Sequence, residues 1–210
     1  MKDQKLTTIV FSDADKKYAD KFMNFDTYHY TFDKFLEAVQ NDQARILDAA
    51  CGPGKISQYL LSKNAGLKIK GIDLAEGMTE IAKEQIPQAE FEVKSILNFT
   101  GKYDGIICGF GLPYLSKEEV IAFIQLCESS LNKNGILYLS TMEGDYKKSD
   151  FQAQSSGVGS SLFIHYYRAS FLKSLLEKNN FSVILEDRKM DQHNAEKTFT
   201  DLILIGKKLN

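Results

Sequence analysis

The sequence predicts a doubly wound α/β domain: a seven-stranded, mostly parallel sheet with an antiparallel last strand, helices on both faces and a helical N-terminal cap. Three observations carry this expectation. From residue 45 onward, short apolar runs alternate with stretches of helical period, the pattern of repeated βαβ units. The first run, Arg45–Ala50, leads directly into Cys51-Gly52-Pro53-Gly54, a glycine turn at the carboxyl end of a strand, where open α/β sheets bind ligands. The last two runs, 181–189 and 198–207, are separated only by Met190–Lys197, too short for a crossover helix, so they are expected to pair as an antiparallel hairpin.

Taken in order, residues 1–12 read as a loose lead-in, and Asp13–Asn24 as a helix with Tyr18, Phe22 and Phe25 on one face. A second helix, Tyr28–Gln40, carries Phe32, Phe35, Leu36 and Val39 at helical spacing. The aromatic run between them, Phe25–Tyr30, is either a packing seam or a cap over the glycine turn. Strand Arg45–Ala50 is followed by a helix from Lys55 to Asn64, stopped by Gly66. Strand Lys68–Leu74, helix Glu76–Gln85 and strand Glu90–Lys94 come next, then strand Tyr103–Gly109. Ser116-Lys117-Glu118-Glu119 is a capping box opening a helix with Val120, Phe123, Ile124, Cys127 and Leu131 inward. Asn134-Gly135 turns into strand Ile136–Met142. Residues 143–168 break the alternation and are expected to be irregular, with a short strand within 162–167, and a connection of that length is usually functional. A helix over 169–179, with Phe171, Leu172, Leu175 and Leu176 buried, precedes the closing hairpin.

Composition narrows the function. With 210 residues, 43% hydrophobic and 26% charged, the chain reads as one soluble globular domain with a full core. A net charge of −2 supplies no general attraction to nucleic acid or to an anionic membrane. No apolar run approaches the roughly 20 residues that span a bilayer, and the polar N-terminus does not read as a signal peptide. Cys51, Cys108 and Cys127 form no CxxC or Cys/His cluster, so they are expected to be reduced core thiols of a cytoplasmic protein, with no metal site.

The glycine turn is Gly-x-Gly, but the dinucleotide fingerprint G-x-G-x-x-G stops there because position 57 is Ser. A pyrophosphate-bearing ligand is therefore disfavoured. ILDAACGPGKIS (46–57), IKGIDLAEGM (69–78), FEVKSILNF (91–99), YDGIICGFGLPYLSKEE (103–119) and LNKNGILYLST (131–141) together with the closing hairpin resemble the class I S-adenosylmethionine-dependent methyltransferases, in particular small stand-alone bacterial enzymes with small-molecule acceptors. The resemblance covers nearly the whole chain and implies a Rossmann-like sheet and S-adenosyl-L-methionine as the methyl donor. It places the donor along Ala49, Ala50, Cys51, Gly52 and Gly54 of the turn, Asp73, Leu74 and Met78 after the second strand, Ser95 and Ile96 after the third, and Gly109 and Phe110 after the fourth. Asp73 would accept the ribose hydroxyls; as a bare sequence feature it also reads as a helix N-cap. Ser95 stands where the family often has an adenine-bonding Asp. Tyr18 resembles an N-terminal aromatic that reaches the donor's carboxylate, and it also reads as a packing tyrosine. Asp48, a lone Asp in a buried strand, is expected to order the turn rather than touch the donor.

Methyl transfer is an in-line displacement that gains most from positioning, and a base is needed only where the acceptor loses a proton. Tyr114, Glu143, Asp145, His165 and Tyr166 lie near the carboxyl ends of the strands, and His165 and Tyr114 are the candidates for catalysis. His165 also reads as a structural histidine in an aromatic loop, and His29 and His193 rank below it. Phe25, Tyr28, His29, Phe110, Tyr114, Tyr146, Phe151, His165 and Tyr166 give an expected aromatic acceptor pocket, suited to a small, flat or cationic molecule. Expected partners are a small-molecule acceptor and at most a second copy of the chain, with neither nucleic acid nor membrane. Three other readings share the βαβ opening: an NAD(P)-dependent oxidoreductase, a nucleic-acid methyltransferase, and a non-catalytic cofactor-binding regulator.

Overall fold

The computed structural model describes residues 25–153, 161–190 and 200–209. The expected helix 13–24 lies outside them. A 3-10 turn, Phe25–Tyr28, leads into α1 (His29–Val39), followed by β1 (Arg45–Ala49), α2 (Lys55–Lys63), β2 (Lys68–Asp73), α3 (Glu76–Gln85), β3 (Glu90–Val93) and β4 (Tyr103–Cys108). Then come α4 (Lys117–Ser130), β5 (Leu131–Glu143), β6 (Asp150–Ala153), β7 (Ser161–Ile164), α5 (Ala169–Lys178), β8 (Phe181–Met190) and β9 (Thr200–Lys208).

The main sheet has seven strands in the order β3-β2-β1-β4-β5-β9-β8. β1 is parallel to both β2 and β4, with Asp48 opposite Gly71 on one side and Ile107 on the other. β9 runs antiparallel to β5 and to β8, the hairpin expected from the short linker. From β1 the chain travels outward to β2 and β3, then returns to the opposite side of β1 as β4. The carboxyl ends of β1 and β4 therefore flank the topological switch point, the place where such sheets leave a crevice for a ligand.

Side-chain alternation builds a core on each face. Leu47, Ala49, Ile106, Cys108, Leu137 and Leu139 pack with Val120, Phe123 and Ile124 of α4 and Leu172 and Leu176 of α5. Ile46, Ile107, Ile136 and Tyr138 pack on the other face with Phe32 and Phe35 of α1 and Ile56 and Leu60 of α2. Burial on both sides is why β1 reads as an almost unbroken apolar run. Phe171, expected inside, is half-buried and stacks on Tyr167 at 5.8 Å. The Ser116 capping box is formed: Ser116 Oγ accepts from the Glu119 amide at 3.3 Å, and Glu119 Oε2 from the Ser116 amide at 2.8 Å.

Two expectations change. β5 begins at Leu131, not Ile136, because a register shift pairs Tyr103 with Leu131 before Gly105 meets Ile136. The irregular residue between them, Asn134, is left-handed at φ 60°, and Asn132 Nδ2 ties the segment to Asp104 Oδ1 at 2.8 Å. Within 143–168, β6 and β7 form a two-stranded antiparallel sheet, so this segment is not wholly irregular. β7 answers to the short strand expected within 162–167, while β6, only four residues long, was not read from the sequence. Among the described residues, no helix is long and apolar enough to cross a membrane.

Candidate functional site

The turn after β1 concentrates left-handed backbone. Ala50, Gly52 and Gly54 have φ of 59°, 52° and 80°. For Ala50 this conformation costs about 1–2 kcal/mol, so the surroundings must hold it. The Cys51 amide donates to Ile72 O at 3.0 Å, the Gly54 amide to Cys51 O at 3.0 Å, and the Gly52 amide to Asp73 Oδ2 at 2.9 Å. The two glycines then differ. A Cβ at Gly52 would meet nothing within 4 Å, so this face of the turn is open. A Cβ at Gly54 would lie 2.6 Å from Ile86 Cδ1, 3.2 Å from Ala82 Cβ and 3.3 Å from Phe91 Cζ. The missing side chain at Gly54 lets the start of α2 pack on Ile86 and Ala82 of the α3 segment and on Phe91, so Gly54 has a packing duty that Gly52 lacks.

Asp48 and Ser57 form a buried lock, both 0% exposed, with Ser57 Oγ donating to Asp48 Oδ2 at 2.6 Å. Burial pushes the Asp48 carboxyl up to about 7, against the pull of the Ser57 hydrogen bonds, and nearby Asp73 adds to the rise. Asp48 Oδ1 has no hydrogen-bond partner among the described residues. Ser57 is thus more than an absent third glycine, because it ties the first turn of α2 to β1. Asp73 accepts from the Gly52 and Ala75 amides, each at 2.9 Å. Burial raises its pKa against the amides of Ala75, Gly52 and Leu74. The N-cap of α3 is Ala75, so Asp73 braces the turn entering the helix and does not cap it. The Asp73 carboxylate keeps lone-pair capacity for an incoming donor.

Leu74 is half-buried and Met78, in the first turn of α3, is 2% exposed. After β3, Ser95 Oγ accepts from the Leu97 amide at 3.2 Å, which leaves the hydroxyl proton for another acceptor. After β4, Phe110 adopts φ 55°, an uncommon state for a bulky side chain and one that clusters at binding sites. Its amide donates to Ser140 Oγ at 3.0 Å. A Cβ at Gly109 would sit 2.4 Å from Ile56 Cδ1, so Gly109 also serves helix packing. A Cβ at Gly111 would lie 2.9 Å from Ala50 Cβ and 3.7 Å from Ile96 Cδ1. The ends of β1 and β4 and the loop after β3 therefore meet, bringing Ala50, Gly111 and Ile96 side by side.

Beyond β4 the aromatic residues divide into two groups. Tyr28 packs edge-on against Phe110 with ring centroids 5.4 Å apart, and its hydroxyl donates to Asp201 Oδ2 at 2.6 Å. His165 stacks on Tyr146 at 5.3 Å and lies 4.8 Å from Phe163, while its backbone amide donates to Pro113 O at 2.8 Å. That bond docks the β6–β7 pair onto the 3-10 turn Leu112–Tyr114. Tyr114 packs with Leu162, Ile164, Tyr166 and Met142. Phe151 is exposed, against Phe163. His29 stacks on Tyr59 of α2 at 3.8 Å. Glu143 is held by Arg188, and Asp145 by Arg168. Phe25 opens the 3-10 turn, while Tyr18 and His193 lie outside the described residues.

Pattern reading passed over Asp201 and Ser140, and read Ser57 only as the absent third glycine. Asp201 is 6% exposed at the start of β9, opposite Met142. Its signal was present: like Asp48, it is a lone carboxylate in an otherwise apolar strand.

Residues 19–186 match the family described as a methyltransferase domain. The YqeM protein of Bacillus subtilis (strain 168) is 31% identical over 163 residues, 74% of this chain and 64% of that protein. The ubiquinone biosynthesis O-methyltransferase of Xanthomonas campestris pv. campestris (strain B100) is 30% identical over 107 residues, 47% of this chain and 43% of that enzyme. The chain spans less than two thirds of the length of both relatives. Magnesium protoporphyrin IX methyltransferase (ChlM) from Synechocystis PCC 6803, crystallised with SAH, superposes with a TM-score of 0.73 at 22% identity, covering 98% of this chain and 99% of that one. The 1,6-didemethyltoxoflavin-N1-methyltransferase of Burkholderia thailandensis gives 0.71 at 17% identity, covering 99% and 91%. At these identities the structural likeness is one of fold.

Proposed function

The chain belongs to the methyltransferase-domain family, and from that premise we propose that it transfers a methyl group from S-adenosylmethionine to a small-molecule acceptor. The observation that carries the donor reading is the open face at Gly52, beside the amide that engages Asp73. The residues fit such a ligand. Asp73 has lone pairs for ribose hydroxyls, Ser95 has a hydroxyl proton for an adenine nitrogen, and Ile96 offers an apolar surface to the ring. Ser57 fills the place of the phosphate-cradle glycine with a buried side chain, which favours a phosphate-free nucleoside. Tyr18, Ala49, Ala50, Cys51, Gly54, Leu74, Met78, Gly109 and Phe110 complete the proposed donor site.

When bound, the donor supplies an electrophilic methyl on a positively charged sulfur. The chain's contribution is positioning and exclusion of water by the turn, the β4 loop and the β6–β7 pair. On the acceptor side, His165 and Tyr114 are the proposed catalytic groups, with His165 taking a proton from an acceptor hydroxyl or amine. The net charge of −2 and the aromatic lining support a small acceptor over nucleic acid. The three buried free thiols support a cytoplasmic enzyme.

Calorimetric titration tests the donor reading. The purified chain should bind S-adenosylhomocysteine and not NAD, and Asp73→Ala should weaken that binding at least tenfold while remaining folded. Tighter binding of NAD, or an unchanged dissociation constant in Asp73→Ala, refutes it. Label from methyl-tritiated donor, followed into a panel of small aromatic hydroxyl and amine compounds, then identifies the acceptor; label appearing only in RNA refutes the small-molecule reading.

A further inference from the structure

Tyr28 and Asp201 form a part-buried hydrogen-bonded couple at the carboxyl end of the parallel strands. Asp201 is 6% exposed and receives the Tyr28 hydroxyl at 2.6 Å. The Tyr28 ring meets Phe110 edge-on, and Phe110 is held left-handed by Ser140 at the end of β4. Among the described residues, charged side chains of β8 lie beside Asp201. Lys189 is its cross-strand neighbour, and Lys189 Nζ is 3.2 Å from Asp187 Oδ2. The carboxylate that the Tyr28 hydroxyl engages is Asp201. On the same face, Tyr138 shares its hydroxyl with Thr31 Oγ1 at 3.0 Å and adds no charge.

The strand order β3-β2-β1-β4 sets the direction of a nucleoside laid across these ends. With adenine at Ser95 and Ile96 and ribose at Asp73, the 5′ substituent runs toward β1 and β4, to Phe110 and Tyr28. A phenol that donates to a carboxylate is electron-rich, and electron-rich ring faces attract cations.

We propose that Tyr28, polarised by Asp201, makes this site discriminate the charged sulfonium of the donor from the neutral thioether of the product. The inference deepens the S-adenosylmethionine reading and rests on it. On transfer the acceptor's lone pair forms the new bond to the methyl carbon and the sulfur–methyl bond breaks. Sulfur keeps that electron pair and becomes neutral, and the attraction to Tyr28 is lost in the same step. Asp201 acts through Tyr28 and is a positioning residue.

Calorimetry on the full chain tests this without knowledge of the acceptor, using S-adenosylhomocysteine (neutral sulfur) and sinefungin (a protonated amine in place of the methylsulfonium). Asp201→Asn still accepts the Tyr28 hydroxyl but carries no charge. It should weaken sinefungin about tenfold and leave S-adenosylhomocysteine within about twofold, a tenfold change corresponding to about 1.4 kcal/mol. Should Asp201→Asn fail to fold, Tyr28→Leu removes the ring, leaves β9 unchanged and is expected to show the same split. Equal weakening of both ligands, or no change in either, overturns the inference and makes the couple a structural tie. Failure of S-adenosylhomocysteine to bind the unaltered chain overturns the donor reading itself, and this inference with it.

Discussion

Replacing Gly52 and Gly54 by alanine, one at a time, applies the same chemical change two residues apart and should give two different failures. Both positions are left-handed, at φ 52° and 80°, so each substitution costs about 1–2 kcal/mol of backbone strain. At Gly52 the cost ends there, because the new methyl meets nothing within 4 Å. For a chain of this size, that strain corresponds to a fall in Tm of about 2–8 °C. The methyl then stands on the face assigned to the donor, so affinity for S-adenosylhomocysteine should fall more than tenfold. At Gly54 the methyl would lie 2.6 Å from Ile86 Cδ1. Overpacking adds about 1–3 kcal/mol, bringing the total to roughly 2–5 kcal/mol and making this the less stable variant. Ile86→Val deletes the clashing atom, so Gly54→Ala should cost at least about 1 kcal/mol less in that background, a coupling that a double-mutant cycle measures. Denaturant titration and calorimetry on the two single variants and the double variant are the assays. Unchanged affinity for S-adenosylhomocysteine in a folded Gly52→Ala would show that the open face is not the ligand's. Absence of coupling between residues 54 and 86 would refute the packing argument.

Asp48 makes a prediction in pH. Its carboxyl rises on folding from 3.8 to about 7, so over that interval the folded chain holds a proton that the unfolded chain has released. The group's contribution is fully present below the unfolded value and is lost as pH climbs through the folded one, by roughly 4 kcal/mol in all at 1.36 kcal/mol per unit. Asp48→Asn still accepts from Ser57 and does not titrate, so its stability relative to the parent should improve steadily from about pH 4 to pH 8; parallel stability curves would refute the assignment. Ser57→Ala removes the donor to Asp48 and should cost about 1–3 kcal/mol, more at pH 8 than at pH 5. An equal loss in the Asp48→Asn background would show that the two side chains are not coupled.

The elements most legible in the sequence were those whose signals lie within a few residues. The capping box at Ser116, the apolar run of β1 and the linker too short for a crossover were all read correctly. The Gly-x-Gly turn and Asp73 pointed to the ligand's class. Of the β6–β7 pair, only the strand within 162–167 was expected; β6 was missed because it has four residues and is a strand only through its pairing with β7. The same limit applied to single residues. The packing duty of Gly54 could not be read, since nothing local revealed Ile86 beneath it. Ser57 looked like a missing glycine until the fold placed it against Asp48. Asp201 is separated from Tyr28 by 173 positions, so no window along the chain could pair them.

By itself the sequence determined the alternation of strands and helices, the hand-over from β1 to the glycine turn and the family, because backbone propensity, side-chain period and turn chemistry act over one or two turns of chain. Only the tertiary structure decided which glycine is open, which carboxylate is locked and which phenol stands over Phe110. Burial and hydrogen bonding between distant strands set those properties, and they come into being when the sheet closes.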